Sequence, residues 1–190
     1  KTSNLISNIY VSTDDEKISE VSVENGAKVI DRPKAISGDS ATTESAIFHL
    51  LAELSYKPDI IILLQPTSPL RPKNSIDKAI NKFIKNKYDS LLSLSPSHRF
   101  FWKTNHNQAI PEYDFLNRPR RQDVKISDQK FIENGSLYIF TYKSFKKTQN
   151  RLGGKIGYIV FDEEFSYEID SYADLLFLES LAEHIKSNND

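Results

Sequence analysis

The residues able to do chemistry fall in a few short stretches. The first follows the apolar run Ile60–Leu64, whose β-branched Ile residues suit a strand buried on both faces. That run stops on Gln65, Pro66, Thr67, Ser68, Pro69 and Arg71. Gln65 supplies a donor and an acceptor, and Thr67 and Ser68 add hydroxyls and backbone amides. The two prolines stiffen the backbone and lower the entropic cost of holding these groups in place. A rigid turn leading into the next helix uses the same residue types, so a binding edge and a cap are both open at this point.

A second stretch is "DRPKAISGDSATT", Asp31–Thr43. A guanidinium at Arg32 can fork onto a phosphate or carbonyl. Ser40, Thr42 and Thr43 suit the N-terminus of a helix, and a helix start also receives anions. "NRPRRQD", Asn117–Asp123, concentrates Arg118, Arg120 and Arg121. It can be a solvated basic face, a nucleic-acid patch or a site for an acidic small molecule. In "FSYEID", Phe165–Asp170, strand alternation places Glu168 and Asp170 on one face. Two carboxylates near phosphates suit magnesium, which keeps several waters and takes few protein ligands. A solvent-facing acidic pair, with Asp170 or Ser171 capping the closing helix, is the alternative. His49, His98, His106 and His184 have no metal-ligand spacing. Gly153–Gly154 reads as a turn, and no Ser/His/Asp arrangement supports a hydrolase.

These stretches need a scaffold, and its rhythm is legible. Strands are expected at Asn8–Thr13, Ala27–Asp31, Ile60–Leu64, Asp89–Ser95, Ser136–Tyr142 and Lys155–Phe161. Helices are expected at Asp14–Asn25, Thr42–Leu54, Pro72 to about Lys87, and Ser171 to about Lys186. Strands alternating with helices imply an α/β fold with a mostly parallel sheet and helices on both faces. The rhythm breaks from Pro96 to Ile132, which is too long for an ordinary connection and reads as an excursion. The expected division is therefore 1–95 with 133–190 as the main domain, and 96–132 as a subdomain.

The bulk numbers exclude several classes. The chain has 190 residues and a formal net charge of −1, which argues against a broadly basic nucleic-acid binder. No apolar run reaches a membrane span and no signal peptide is visible, so a cytoplasmic protein without membrane partners is expected. Cysteine is absent, which removes disulfides and thiolate metal sites.

The motifs "VSTDDEKI", "RPKAISGDSATT", "LLQPTSPLR", "SHRFFWK", "NRPRRQD", "ENGSLYIF" and "EIDS" follow one another from about Asn8 to Leu181. In that order they resemble the acylneuraminate cytidylyltransferases, with "LLQPTSPLR" and "NRPRRQD" the most specific parts. The resemblance implies a Rossmann-like nucleotidyltransferase domain with a small dimerisation subdomain. It implies transfer of CMP from CTP to a nine-carbon α-keto acid sugar, sialic, legionaminic or pseudaminic in type, with Mg2+ required and pyrophosphate released. By similarity, Arg32 and Thr43 line the nucleotide site, and Gln65, Thr67 and Ser68 lie between nucleotide and sugar. Tyr138 faces the sugar, and Lys103 and Arg120 reach the neighbouring subunit's site in a homodimer. Asp170 matches the metal-binding carboxylate; Glu168 stands where the family often has Asp, with its carboxylate one methylene further out.

The family opens with a strand and a Gly/Arg/Lys-rich phosphate loop that Lys1–Ser7 does not supply, and methionine is absent. The chain thus reads as incomplete or processed, and residues 1–190 alone are expected to fold and dimerise but to be nearly inactive. A non-catalytic dimeric binding protein of the same fold is the alternative from another class.

Overall fold

The computed structural model describes residues 3–124 and 128–187. The chain forms two compact units. The first holds Lys1–Leu63, Lys73–Leu92 and Leu137–Gly157, and the second Leu64–Pro72, Ser93–Ser136 and Tyr158–Asp190.

In the first unit, β1 (Tyr10–Thr13) leads to α1 (Glu16–Glu24) and then β2 (Lys28–Asp31). Asp15 caps α1: its side chain accepts from the Ile18 amide. Gly26 closes the helix at φ +80°, a conformation that costs glycine least. β1 and β2 pair in parallel, with Tyr10 opposite Lys28, as a strand–helix–strand crossover requires. α2 (Thr43–Glu53) follows a 3-10 turn at Lys34–Ile36, and β3 (Ile60–Leu63) follows α2.

β3 is not buried on both faces: all four of its residues are only partly covered. It is the end strand of a sheet ordered β3-β7-β4-β8, so among the described residues one of its edges has no strand beside it. α3 spans Ser75–Asn86 and β4 spans Ser90–Ser97. α3 begins later than Pro72 because Asn74, its N-cap, holds φ 60°, outside the right-handed helical region. β7 (Lys130–Thr141) lies between β3 and β4 and runs antiparallel to β3, placing Tyr138 opposite Leu63, a reversal that strand–helix alternation does not announce. A short helix absent from the sequence expectations, α4 (Tyr142–Thr148), follows at once, capped by Thr141. It carries Phe145 into a cluster with Ile47, Tyr138 and Phe140, and Phe48, Leu51, Ile61 and Leu63 pack around that cluster. Seven residues with three lysines carry too little apolar periodicity to announce a helix.

In the second unit, the excursion contains the antiparallel hairpin β5 (Trp102–Asn105) and β6 (Gln108–Pro111). β8 (Ile156–Val160) ends in this unit, and α5 (Tyr172–Ser187) closes the described chain. A buried polar network ties β4 to β7 here. The Ser93 hydroxyl donates to Asn134 Oδ1 at 2.5 Å, and Asn134 Nδ2 donates to the Ser95 hydroxyl at 3.0 Å. Each member has a partner, so the network fixes register without an orphaned polar group. Among the described residues no helix is long and apolar enough to cross a membrane.

Candidate functional site

The turn Gln65–Pro69 is the centre of the second unit's polar chemistry. Ser68 is fully buried, and its amide donates to the Gln65 carbonyl at 3.1 Å, which closes a tight turn. Arg71 reaches back beneath it. Its Nε donates to the Ser136 carbonyl at 3.0 Å and its Nη2 to the Ser68 carbonyl at 2.9 Å. Longer bonds of 3.4 Å run to the carbonyls of Gln65 and Pro69. Burial lowers the Arg71 guanidinium from its ordinary value, because desolvation disfavours its charged form. From the other side, the Ile169 amide donates to the Thr67 carbonyl at 2.8 Å.

Gly135 forms the floor of this arrangement. Its φ is +64°, and a Cβ there would lie 2.3 Å from Glu168 Oε1, 2.9 Å from the Ser68 hydroxyl and 3.1 Å from Gln65 Oε1. The absence of a side chain at Gly135 is therefore what lets Gln65, Ser68 and Glu168 meet. The Ser68 hydroxyl donates to Glu168 Oε1 at 3.2 Å.

The acidic segment differs from the expected strand. Residues 166–169 have no strand structure, so alternation does not set the directions of Glu168 and Asp170. Phe165 is anchored in a 3-10 turn, and the start of α5 takes up the chain from Ser171, which leaves no length for pairing. Ser171, not Asp170, caps α5. The Asp174 carboxylate accepts from the Ser171 hydroxyl at 2.8 Å and from the amides of Ser171 and Asp170 at 2.7 and 3.1 Å. These bonds, the Ser171 hydroxyl first, hold the Asp174 carboxyl below its ordinary pKa. The Asp170 carboxylate is exposed and makes no hydrogen bond or ion pair with any described residue. Glu168 accepts one hydrogen bond. No group of three or more His, Cys, Asp or Glu among the described residues is arranged to hold a metal. Two hard oxygen donors suit an ion that takes one or two carboxylates and fills its shell with phosphate and water.

Lys103 and Arg120 lie on the same unit but apart from this turn. Lys103, on β5, pairs with Glu112 at 2.5 Å, and the contact raises the Lys103 pKa and lowers that of Glu112. Arg120 Nε donates to Asp123 Oδ2 at 2.6 Å with most of its side chain in solvent. Neither touches Gln65, Thr67 or Ser68. Arg118 instead lies over the Phe100 ring, 4.4 Å from its centroid, and Phe100 packs on Tyr113.

In the first unit, Arg32 follows β2 and approaches Asp14 at 3.8 Å, with its Nε buried and unpaired. Thr43 opens α2, but the capping oxygen is that of Thr42, which accepts from the Ser45 amide at 3.1 Å. Tyr138 is 2% exposed, inside the aromatic core. Arg151 lies 4.7 Å above its ring and pairs with Glu44 at 2.9 Å, so in this state the ring faces protein. Sequence reasoning assigned no role to Arg71, Gly135 or Asp174. Arg71 and Gly135 stood inside quoted motifs, and the Ser171–Asp174 spacing is that of a capping box with Asp in its acidic position.

The alternating strands and helices, with the polar turn Gln65–Pro69 after β3, are those of an α/β fold. Solved structures agree at the level of fold. The CTP complex of CMP:2-keto-3-deoxy-manno-octonic acid synthetase superposes with a TM-score of 0.64 at 12% identity, covering 94% of this chain and 82% of that one. A 4-diphosphocytidyl-2C-methyl-D-erythritol synthase from Anaerococcus prevotii gives 0.62 at 12% identity, with coverage of 94% and 82%. The family model described as cytidylyltransferase matches residues 1–183, and the chain belongs to that family. Among its relatives, N-acylneuraminate cytidylyltransferase A of Danio rerio is 34% identical over 174 residues, 88% of this chain and 39% of the relative. The N-acylneuraminate cytidylyltransferase of Oncorhynchus mykiss is 33% identical over 167 residues, 85% of this chain and 37% of the relative. Post-translational flagellin modification protein B of Campylobacter coli is 27% identical, covering 100% of this chain and 81% of its own length. The chain thus spans about two fifths of the length of the N-acylneuraminate enzymes it matches.

Proposed function

We propose that the protein transfers CMP from CTP to a nine-carbon α-keto acid sugar of the sialic type and releases pyrophosphate. The observation that carries this is the family match over residues 1–183, joined by relatives named as N-acylneuraminate cytidylyltransferases. The anomeric hydroxyl of the sugar attacks the α-phosphorus of CTP. A new O–P bond forms, the bond to the bridging oxygen of pyrophosphate breaks, and the hydroxyl proton passes to water. No side chain is assigned to take that proton.

The site's own groups have the right character. Gln65 and Thr67 offer donors to the junction of nucleotide and sugar, Ser68, buried with its hydroxyl on Glu168, holds the turn beside them, and Arg32 and Thr43 serve the nucleotide. Prearranged donors stabilise charge that develops on phosphate oxygens. Glu168 and Asp170 would hold magnesium, and the ion, when bound, offsets phosphate charge. Lys103 and Arg120 serve the partner's site in a homodimer, where a guanidinium can fork onto the sugar carboxylate. Tyr138 reaches the sugar only if Arg151 leaves its ring, so its role depends on that movement. The nucleotide donor is an intracellular metabolite, and a cytoplasmic location belongs to the same proposal.

The test incubates the full-length gene product, rather than residues 1–190 alone, with magnesium, CTP and a panel of nonulosonic acids, and measures pyrophosphate. The flagellin-modification relative is the reason for including acids other than sialic acid. Release with at least one acid, and faster with CTP than with UTP or ATP, is expected. No release with any acid overturns the proposal.

A further inference from the structure

We propose that Arg71 is a positioning residue for this reaction: it fixes the Gln65–Ser68 turn by binding its backbone carbonyls, and so turns the donor side of the turn toward the substrate. The inference rests on the proposed function, which makes that turn the meeting point of nucleotide and sugar.

The hydrogen bonds of Arg71 are unusual for a largely covered guanidinium. A buried cation is ordinarily paired with a carboxylate. All of Arg71's bonds, to Gln65, Ser68, Pro69 and Ser136, end on carbonyl oxygens. It makes no ion pair with any described residue. The Thr67 carbonyl, which Arg71 does not reach, accepts from Ile169. The backbone carbonyls of Gln65, Thr67, Ser68 and Pro69 therefore each accept a hydrogen bond from within the unit. What the turn has left to offer is the Gln65 amide, the Thr67 hydroxyl and backbone amide groups, together with an uncompensated positive charge behind them. Carbonyl oxygens facing a phosphate or carboxylate would repel it, and Arg71 removes that repulsion at its source.

Its bond to Ser136 adds a geometric role. Ser136 follows Gly135, where Gln65, Ser68 and Glu168 converge. One planar group thus sets the spacing between the turn and the strand floor. Lysine cannot reproduce this: its ammonium is a point donor, while the guanidinium spans separate carbonyls in one plane. A misplacement of about 1 Å in a reacting group can lower turnover about a hundredfold.

Arg71→Lys keeps the charge and loses the fork, which makes it the decisive variant. Turnover per folded molecule is expected to fall about ten- to a hundredfold, with KM for CTP changed less than about threefold. Added methylguanidinium should restore part of the turnover of Arg71→Gly. A structural role alone would let it raise Tm without changing turnover per folded molecule. Hydrogen exchange supplies a readout independent of activity. In Arg71→Lys, peptides covering 65–69 and 167–169 should exchange faster, while peptides from β3 and α3 stay as in the unsubstituted protein.

Turnover within twofold of the unsubstituted protein overturns the proposal. So does unchanged exchange at 65–69, exchange that rises throughout, or an Arg71→Lys protein that does not fold. If the unsubstituted protein releases no pyrophosphate with any acid, the proposed function fails. The local exchange result then decides alone whether Arg71 holds the turn.

Discussion

Gln65, Ser68 and Glu168 converge on a point of the chain that has no side chain, the α-carbon of Gly135. Alanine there meets two costs. The left-handed backbone disfavours any Cβ by about 1–2 kcal/mol. The added carbon would also sit 2.3 Å from Glu168 Oε1 and 2.9 Å from the Ser68 hydroxyl. Glu168 has a flexible end and can swing away, but Ser68 is buried and cannot. Gly135→Ala should therefore lower the midpoint of urea unfolding modestly. It should lower turnover by more than the unfolded fraction explains, because the Ser68–Glu168 bond is broken in the folded protein. Paired urea titrations and pyrophosphate assays check this, and turnover equal to that of the unsubstituted protein would remove Gly135 from the site. At this scale the sequence disclosed residue types better than settings. Gln65 and Ser68 were singled out because a Pro-bracketed polar run follows an apolar strand, although a rigid turn uses the same residue types. The meeting with Glu168 was not legible, since 100 residues separate it from Ser68 and no local period links them. Arg71 was quoted with its motif and left without a role, because its partners are carbonyls, which every residue possesses.

Elements built from capping and periodicity were the most legible. α1, α2 and α5 start within a residue or two of their expected positions, where Asp15, Thr42 and Ser171 stand before apolar runs. The failures are equally physical. β3 looked doubly buried because Ile favours any strand, and composition does not distinguish an end strand from a central one. The acidic segment 166–169 looked like a strand because alternation also arises by chance over so few residues. Two predictions belong here. Phe145, fully buried on α4, packs on Phe48 and Phe140 with ring centroids 4.5 and 5.2 Å away. Phe145→Ala should destabilise the protein by about 3–5 kcal/mol, measured by urea denaturation. A loss below about 1 kcal/mol would mean that α4 does not close this core. The second prediction concerns α5. The folded Asp174 carboxyl lies below its ordinary value, so its stabilisation is complete above the unfolded carboxylate pKa, about 3.9. It is lost as pH falls through the lower, folded value. Asp174→Asn should therefore lower the thermal midpoint at pH 7, and the two proteins should converge as pH falls below about 4. A constant difference across that range would assign the effect to something other than ionisation.

At the scale of the whole molecule, the excursion exposes apolar surface that no described residue covers. Trp102 on β5 is 50% exposed and Leu116 is 80% exposed, with Phe101, Ile110 and Phe115 also open to solvent. Scattered exposed apolar residues need no explanation, but these lie within one short hairpin and the chain just before and after it. The homodimer proposed above would cover them, since symmetric association would place the same patch on both sides. Leu116→Asp should then shift the protein to monomer in analytical ultracentrifugation, while helix content stays constant. If Arg120 serves the partner's site, activity should depend on which chains are paired. Arg120→Ala alone should lose about 1.5–3 kcal/mol of interaction with the sugar carboxylate, or roughly ten- to a hundredfold in kcat/KM for the sugar. Gln65→Ala alone should be impaired at its own site. Refolding the two variants together gives mixed dimers in which one site joins an intact Gln65 to an intact Arg120, and the other site lacks both. Mixed dimers isolated through different affinity tags should regain close to half the activity of the unsubstituted dimer, with the unsubstituted KM for the sugar. Mixed dimers no more active than the better of the two parents would show that each site is built from one chain, and Arg120 would return to the solvated pair it makes with Asp123.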